Sequence, residues 1–252
     1  MPDQVPVLRL DQVSKSFGGV HAVREASLTV LGGERRALIG PNGAGKTTLF
    51  NLVAGALPID RGSITMFGET ITRWPMHRRA RLGLGRTYQT SQLFGDLTVE
   101  ENLVLATLGG KGTRLPLFEP WTGRGEDRAS VADVAAQVGL ADRLGEKVSA
   151  ISHGEQRQLE IGMALAMRPR LVMLDEPSSG LSPGERVVIT DLIQRLPEQL
   201  TIVLIEHHME LALGVADQVT VLHRGAVISE GTPDDIRADP EVQAVYLGAT
   251  RV

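Results

Sequence analysis

Residues 40–47 constrain the fold of this chain more than any other segment. They read Gly-Pro-Asn-Gly-Ala-Gly-Lys-Thr and fit the pattern G-x-x-x-x-G-K-[ST], a glycine-rich turn between a strand and a helix. The flanking residues agree, because an apolar strand-length run at 37–39 precedes the turn and a helical run beginning at Thr48 follows it. The segment therefore predicts an α/β core in which this loop joins a buried strand to a helix.

Glycines in such a turn let successive backbone N–H groups point into one concavity, and the positive end of the following helix adds attraction for an anion. The side chain of Lys46 suits the β- and γ-phosphates of a nucleotide, the Thr47 hydroxyl suits Mg²⁺, and Thr48 suits a further phosphate contact. The alternative is a glycine-rich turn with an incidental lysine. Because the pattern arises by chance in roughly one in a hundred chains of this length, the phosphate site is favoured.

Two acidic residues, Asp175 and Glu176, directly follow an apolar run at 171–174. The carboxyl end of a strand is where α/β sheets bind ligands, and adjacent side chains on a strand point to opposite faces. We therefore predict different roles: Asp175 serves Mg²⁺ through water or through another ligand of the metal, and Glu176 is the general base that orients and activates the attacking water. The alternative is an acidic N-cap for a helix that starts after Pro177.

Short apolar, β-branched runs alternate with helical patterns, which is typical of a mostly parallel sheet covered by helices. We expect buried strands at 37–39, 171–174, 201–205 and 219–222, a smaller antiparallel sheet from 7–10, 27–30 and 63–67, and a hairpin between 219–222 and 227–229.

The middle of the chain, residues 93–167, shows helical spacing instead. Val131, Val134, Ala135 and Val138 recur at i, i+3, i+4 and i+7. Within this segment, residues 109–130 are rich in Gly, Pro and charge and lack periodicity, which predicts a surface loop or insertion.

The composition excludes several classes of protein. A formal net charge of -4 argues against a broad nucleic-acid surface, which needs a clustered excess of Lys and Arg, so we expect no nucleic-acid partner. With no cysteine, the chain has neither a disulfide framework nor a thiolate metal site. No apolar run approaches the ~20 residues of a membrane-spanning helix, and the first residues do not resemble a secretory signal. We expect a cytoplasmic protein, and any membrane role must come through partners.

Residues 151–156 discriminate among the many classes of P-loop protein. They read Ile-Ser-His-Gly-Glu-Gln and resemble the signature motif of ABC ATPases, usually written LSGGQ, ahead of Asp175 at the expected distance. Ser152 and Glu155 also fit a helix capping box, an interpretation compatible with the first. Further segments resemble the family's motifs in the same order: Phe17 the aromatic residue that stacks on adenine, Gln89 the Q-loop glutamine, 179–182 the D-loop and His207 the switch histidine.

The resemblance implies the ABC ATPase fold, an α/β P-loop NTPase core with a small antiparallel β subdomain and a helical subdomain. The whole chain, 1–252, would be one ABC ATPase domain. Residues 1–88 and 161–252 would form the nucleotide-binding core with the antiparallel β subdomain, and residues 89–160 the helical subdomain that carries the signature motif.

The resemblance also implies ATP hydrolysis with Mg²⁺. Glu176, His207 and Lys46 would be catalytic, and Thr47, Gln89 and Asp175 would hold the metal. The nucleotide would contact a larger set: Phe17, Val23, Asn42, Gly43, Ala44, Gly45, Lys46, Thr47, Thr48 and Gln89 in one subunit, and Ser152, Gly154 and Glu155 in the other. His207 could instead be an ordinary helix-start residue, and it is followed by His208 where aspartate is common; the ordered set of motifs favours the switch role.

Departures from the common motifs point to a subgroup. His153 replaces the first signature glycine, Glu155 replaces the glutamine, and Phe17 stands where tyrosine is commoner. The Ser-His-Gly-Glu form, residues 16–23 and the ending 244–248 resemble ATPases of importers for branched-chain amino acids and urea. Lipopolysaccharide-export ATPases share that ending, and a soluble ABC ATPase unrelated to transport is a further alternative. A small-metabolite kinase would leave Gln89, His207 and the signature unexplained.

The importer resemblance implies several partners: a second ABC ATPase subunit, identical or a sister chain, transmembrane permease subunits, and a periplasmic or extracellular solute-binding protein. The permease subunits would hold the chain at the inner face of the cell membrane. Two ATPase subunits would close face to face around two ATP molecules, so that each site takes the P-loop of one subunit and Ser152 of the other.

Overall fold

The computed structural model describes residues 6–88, 92–111 and 125–248. Within them the strands are β1 Pro6–Phe17, β2 Val20–Leu31, β3 Arg35–Ile39, β4 Arg61–Met66, β5 Glu69–Thr70, β6 Leu84–Arg86, β7 Leu171–Asp175, β8 Thr201–Ile205, β9 Gln218–His223 and β10 Ala226–Gly231. The helices are α1 Lys46–Ala54, α2 Met76–Leu82, α3 Val99–Lys111, α4 Gly125–Gln137, α5 His153–Leu165, α6 Pro183–Arg195, α7 Met209–Val215, α8 Pro233–Ala238 and α9 Pro240–Gly248. None of these described helices has the length and apolar character needed to span a membrane.

A six-stranded sheet in the order β10-β9-β3-β8-β7-β6 forms the centre of the molecule. Its strands pair in parallel except β10, which pairs antiparallel with β9 in the predicted hairpin. The expected buried strands are confirmed in β3, β7, β8 and β9, most of whose residues are buried, as expected of parallel strands covered by helices. Because β3, β8 and β7 are parallel neighbours, the loops that follow them meet at one edge of the sheet.

A four-stranded antiparallel sheet in the order β2-β1-β4-β5 confirms the predicted smaller sheet. However, β1 and β2 are 12 residues each, far longer than the runs predicted at 7–10 and 27–30. Their pairing register shifts repeatedly along the hairpin. Each shift interrupts the alternation of buried and exposed side chains, so only part of each strand carries the sequence signal.

Helix α1 lies in a core between the two sheets. Leu10 and Val30 of the antiparallel sheet, Leu38 of β3, and Leu49 and Phe50 of α1 belong to one cluster of buried side chains. Burial of each large apolar side chain contributes about 1.5–3 kcal/mol. This packing fixes α1, and therefore the loop before it, against both sheets.

The helical segment packs through the predicted apolar face. Val131, Val134, Ala135 and Val138 are all buried, in a cluster shared with α3, α5 and the central sheet. The surface loop predicted at 109–130 is wrong at both ends, because α3 extends to Lys111 and α4 begins at Gly125; residues 112–124 lie outside the described ranges. The buried residues of the two helices, such as Leu103 and Val131, lie outside the segment 109–130, so its composition does not report where the helices end.

Candidate functional site

The loop after β3 closes around the side chain of Lys46. The Lys46 ammonium donates hydrogen bonds to the carbonyl oxygens of Gly40 (2.6 Å) and Pro41 (3.0 Å). Glycine is required at two positions because the backbone is approached closely: a Cβ on Gly40 would lie 2.1 Å, and one on Gly45 2.3 Å, from a carbonyl oxygen. Both residues also adopt positive φ, 149° and 102°. The predicted loop is therefore a backbone-lined cradle at the start of α1.

Segments far along the chain hold this cradle in place. Gly225, in the turn between β9 and β10, donates its N–H to the carbonyl oxygen of Ala44 at 2.9 Å. The Gly40 backbone hydrogen-bonds to the hydroxyl of Tyr246 in α9, while burial raises the pKa of Tyr246 to about 12, so the phenol stays neutral. Asn42 and Gly43 are exposed at the rim of the loop. The contacts with Gly225 and Tyr246 thus fix the loop, while its rim at Asn42 and Gly43 is open to solvent.

Lys46 is a buried cation with an incomplete set of partners. Burial lowers the pKa of Lys46, whereas the neighbouring carboxylates of Glu176 and Asp175 act to raise it. Both current hydrogen-bond acceptors of the ammonium are neutral carbonyl oxygens. A phosphate would be a stronger acceptor, since charge-assisted hydrogen bonds are about twice as strong as neutral ones.

Asp175 is almost fully buried at the end of β7. Its Oδ2 lies 3.5 Å from Arg86 Nη2, and its Oδ1 has no hydrogen-bond partner. Burial raises the pKa of Asp175, and Arg86 partly opposes that effect. A buried carboxylate oxygen without a partner fits a nearby cation or a metal-bound water. Since the described residues contain no group of three or more His, Asp or Glu side chains that could hold a metal, Mg²⁺ here would also need phosphate oxygens.

Glu176 has an unusual backbone and a specific side-chain partner. Its φ of 49° is left-handed, a conformation that non-glycine residues keep only where the surroundings enforce it. Arg157 of α5 donates to the carbonyl oxygens of Glu176 (2.8 Å) and Pro177 (3.1 Å). The Glu176 carboxylate directly contacts Nε2 of His207. The next helix begins only at Pro183, so the alternative of an acidic N-cap after Pro177 is wrong.

Sequence reasoning missed Glu206, which links the segment that holds Glu176 to the segment that holds His207. The Glu206 carboxylate is buried and accepts the N–H (2.9 Å) and the hydroxyl (2.9 Å) of Ser178, and the N–H of His207 (3.1 Å). It thereby ties the segment after β7 to the segment after β8. An acidic residue directly after the apolar run 201–205 was the available signal, because that strand ends at the same sheet edge as Asp175.

The start of α5 contains the predicted capping box. Ser152 Oγ accepts the Glu155 N–H at 3.2 Å, and Glu155 Oε2 accepts the Ser152 N–H at 2.8 Å. The bond from the Ser152 backbone is the largest of the contacts that lower the pKa of Glu155, and Arg143 adds an ion pair at 3.0 Å. The carboxylate of Glu155, which stands where glutamine is usual, therefore accepts the Ser152 N–H and pairs with the positive charge of Arg143.

The signature residues differ in their exposure to solvent. Ser152 is exposed, whereas Gly154 is buried and donates its N–H to Glu185 at 3.0 Å. In the described ranges no hydrogen bond or ion pair joins Ser152, Gly154 or Glu155 to residues 40–47. The structure thus brings four predicted side chains together at one sheet edge and leaves the signature separate; those four are Lys46, Asp175, Glu176 and His207.

Three other predicted nucleotide contacts differ in placement. Phe17, at the end of β1, is 47% exposed, and the Lys15 ammonium lies 5.5 Å from its ring centre. Val23 is fully buried in the core between the sheets, which leaves no accessible surface for a nucleotide, so this structure does not support the expected contact. Gln89 lies outside the described residues.

Known protein families match most of the chain. Residues 23–179 match the family described as ABC transporter, and residues 226–251 match the family described as branched-chain amino acid ATP-binding cassette transporter. The chain is 37% identical over 250 residues to the high-affinity branched-chain amino acid transport ATP-binding protein BraF of Pseudomonas aeruginosa, covering 96% of this chain and 98% of BraF. It is 36% identical over 252 residues to LivG of Escherichia coli K12, a protein of the same description, with the same coverage.

Solved structures agree with this similarity. MJ1267, an ATP-binding cassette of an ABC transporter in its ADP conformation, has a TM-score of 0.87 at 29% identity, covering 97% of this chain and 99% of that one. A nucleotide-free ATP-binding cassette from an ABC transporter has a TM-score of 0.84 at 28% identity, covering 96% and 99%. Sequence and fold are therefore similar over nearly the full length.

Proposed function

Because this chain belongs to the ABC transporter ATP-binding family and is an ATPase, we propose that it powers the import of branched-chain or similar hydrophobic amino acids. The ABC ATPase resemblance and the predicted fold class are confirmed by these relatives. The proposed cargo is supported by the family matched at 226–251 and by the names of BraF and LivG. That match favours an importer over the lipopolysaccharide exporter and the soluble ABC ATPase considered from the sequence.

The pair formed by Glu176 and His207 is the observation that carries the catalytic proposal. A carboxylate held against an imidazole, beside the buried Lys46 cation, can accept a proton from water that attacks the γ-phosphorus. Attack forms a bond from the water oxygen to phosphorus and breaks the bond to the bridging oxygen of ADP. Lys46 and His207 then stabilise the charge on the transferred phosphoryl group.

Mg²⁺ would neutralise phosphate charge in this site. The Thr47 hydroxyl and the unpartnered Oδ1 of Asp175 are suited to hold it, with Gln89 as a third proposed ligand. Arg86 contacts the other carboxylate oxygen, Oδ2, at 3.5 Å.

The exposure of Ser152 supports a site completed by a second cassette. Neutral donors at an exposed helix start suit an anion, yet the chain's own cradle makes no contact with them. We propose that Ser152 and Gly154 bind the γ-phosphate held by the cradle of a partner cassette. A single chain would then hold half of each site, and hydrolysis would be slow until the partner supplies the missing donors.

An apolar cleft supports permease subunits as partners. A cavity of about 220 Å³ is lined mainly by apolar side chains, among them Met76, Tyr88, Leu93 and Met163. Met76 and Tyr88 are also partly exposed, at 37% and 40%. Such a cleft fits the apolar face of a helix. We propose that a cytoplasmic helix of a permease subunit docks here and holds the chain at the membrane, and that a solute-binding protein delivers the cargo.

The proposed catalytic base is tested by Glu176→Gln. This variant keeps the shape of the side chain but cannot accept a proton, so kcat for ATP should fall about 100-fold or more, with ATP affinity unchanged. Glu198→Gln, an exposed acid before β8 at the opposite sheet edge, is the matched control and should retain full turnover. Phosphate release by the complex purified through this chain gives kcat. Near-normal turnover of Glu176→Gln would remove Glu176 from the role of base.

A further inference from the structure

The carboxylate of Glu185 joins the starts of two helices within the chain. Its Oε1 accepts the N–H of Gly154 at 3.0 Å, and its Oε2 accepts the N–H (2.9 Å) and the hydroxyl (2.7 Å) of Ser182. Ser182 and Glu185 form the capping box of α6, whereas Gly154 lies in the first turn of α5. The fit is close, since a Cβ on Gly154 would lie 2.8 Å from Glu185 Oε1.

Glu185 is ionised in this position at neutral pH. Hydrogen bonds from the Ser182 hydroxyl and backbone, followed by a smaller contribution from the Gly154 backbone, lower the pKa of Glu185. The positive ends of α5 and α6 also favour a negative group there, because each helix is 13 residues long and starts beside the carboxylate. A full negative charge therefore lies at the start of α5, in contact with the Gly154 N–H.

This charge occupies the place proposed for a phosphate. The donor that Glu185 holds, the Gly154 N–H, is one that we assign to the γ-phosphate of a partner cassette. The neighbouring Glu155 N–H is already bound to Ser152 Oγ at 3.2 Å. Because one amide cannot fully serve two anionic acceptors, and two such acceptors repel each other, a γ-phosphate must displace Glu185 Oε1.

We infer that Glu185 competes within its own chain for the signature donor, holding the Gly154 N–H while the cassettes are apart and releasing it when a partner brings its γ-phosphate. This inference rests on the two-cassette site proposed above. Release needs only a rotation of the carboxylate, since Oε2 can keep its bonds to Ser182 and α6 stays capped. Glu185 therefore raises the ATP concentration needed for closure, and it recaptures Gly154 once hydrolysis has removed the γ-phosphate.

The test compares Glu185→Gln with Asp235→Asn in the Glu176→Gln background. Glu185→Gln preserves the capping box but removes the competing charge. Asp235→Asn removes the same charge from the equivalent position of the α8 capping box, where Thr232 is its partner. Each complex, purified through this chain with the subunits that accompany it in its host membrane, is titrated with radiolabelled ATP, and the ATP retained after rapid gel filtration is measured. A fluorescent ATP analogue measures binding to the isolated full chain.

We expect Glu185→Gln to lower the ATP concentration for half-maximal retention about threefold, without changing the affinity of the isolated chain. Asp235→Asn should change neither quantity. An unchanged or raised half-maximal concentration, or an equal shift in both variants, overturns the inference while leaving the proposed function in place. If the Glu176→Gln complex retains no ATP at all, the two-cassette site itself fails and the inference fails with it.

Discussion

Two neighbouring histidines after β8 have different surroundings. His207 contacts the Glu176 carboxylate through Nε2, whereas His208 is the exposed N-cap of α7 and makes no side-chain capping bond. We predict that His207→Ala lowers kcat about 100-fold, because the γ-phosphate and Glu176 lose a positioned partner, while ATP binding is retained. His208→Ala should stay within about twofold of the original chain. Phosphate release and equilibrium ATP binding measure both effects, and a larger loss in His208→Ala would reassign the switch histidine.

The carboxylates of three helix capping boxes make the free energy of unfolding depend on pH in the acid range. Glu155, Glu185 and Asp235 each have a pKa lowered mainly by hydrogen bonds from the serine or threonine that caps the same helix. The unfolded chain therefore binds protons at these sites at higher pH than the folded chain does. Their stabilising contribution is fully present above the ordinary pKa values, about 4, and is lost as pH falls through the lowered values.

We predict that the triple variant E155Q/E185Q/D235N loses less stability between pH 5.5 and pH 3 than the original chain does. Urea unfolding at a series of pH values gives the free energy of unfolding for both proteins. Parallel curves over this acid range would show that these carboxylates do not contribute as described.

Sequence motifs identified the residues proposed to act on the nucleotide more readily than the residues that position them. Lys46, Asp175 and Glu176 belong to short patterns whose chemistry can be recognised in the sequence. The strand-end position of Glu206 is visible in the sequence, but its bonds to Ser178, and those of Arg157 to the Glu176 backbone, join residues far apart in the chain, and no local pattern identifies such partners. Burial of Val23 likewise depends on the packing of two sheets, which the sequence string 16–23 does not reveal.

At the scale of elements, Arg79 joins α2 to the end of α1. The Arg79 side chain is buried and donates to the carbonyl oxygens of Leu52 (2.7 Å), Val53 (2.7 Å) and Trp74 (2.9 Å). Burial lowers the pKa of Arg79 to about 10. Val53 lies in the last turn of α1, and Arg79 supplies a donor to its carbonyl oxygen; Leu52 O also accepts the Gly55 N–H at 3.2 Å.

We predict that Arg79→Met lowers the free energy of unfolding by about 3 kcal/mol, since buried carbonyl oxygens lose their donors. Arg78→Met is the matched control, because Arg78 is exposed and stacks on the Trp74 ring at 3.8 Å. It should cost about 0.5 kcal/mol. Urea unfolding compares the two variants, and equal losses would contradict a specific role of Arg79 at the end of α1.

The sequence predicted the buried strands better than the peripheral ones. β3, β7 and β8 carry continuous apolar runs, and β9 carries one interrupted only by Thr220, as expected of parallel strands with both faces covered. β6 is only three residues, Leu-Gly-Arg, and joins the sheet by pairing with β7, so it has no alternation to detect. The ends of α3 and α4 were missed because the buried residues of both helices, such as Leu103 and Val131, lie outside the segment 109–130, which carries no apolar periodicity.

At the scale of the whole molecule, docking of membrane subunits at the apolar cleft should be separable from ATP binding at the sheet edge that holds Lys46 and Asp175. Met76 lines the cleft and is 37% exposed, whereas Val187 is an exposed apolar residue of α6 outside the cleft lining. We predict that Met76→Glu abolishes copurification of membrane subunits but leaves ATP binding to the chain unchanged, because a charge opposes docking of an apolar helix face. Val187→Glu should retain both properties. Loss of subunits in both variants would show that the cleft is not the docking site.

The central claim is that the nucleotide is enclosed by two cassettes. Electron cryomicroscopy of the complex that contains the Glu176→Gln chain, with ATP and Mg²⁺, gives the distance from Ser152 Oγ to the nearest γ-phosphate oxygen. We predict a hydrogen bond of about 2.7 Å to the γ-phosphate of ATP that lies in the cradle of the other cassette. A nucleotide fully enclosed by one chain, with Ser152 beyond hydrogen-bonding distance of every phosphate, would contradict the claim.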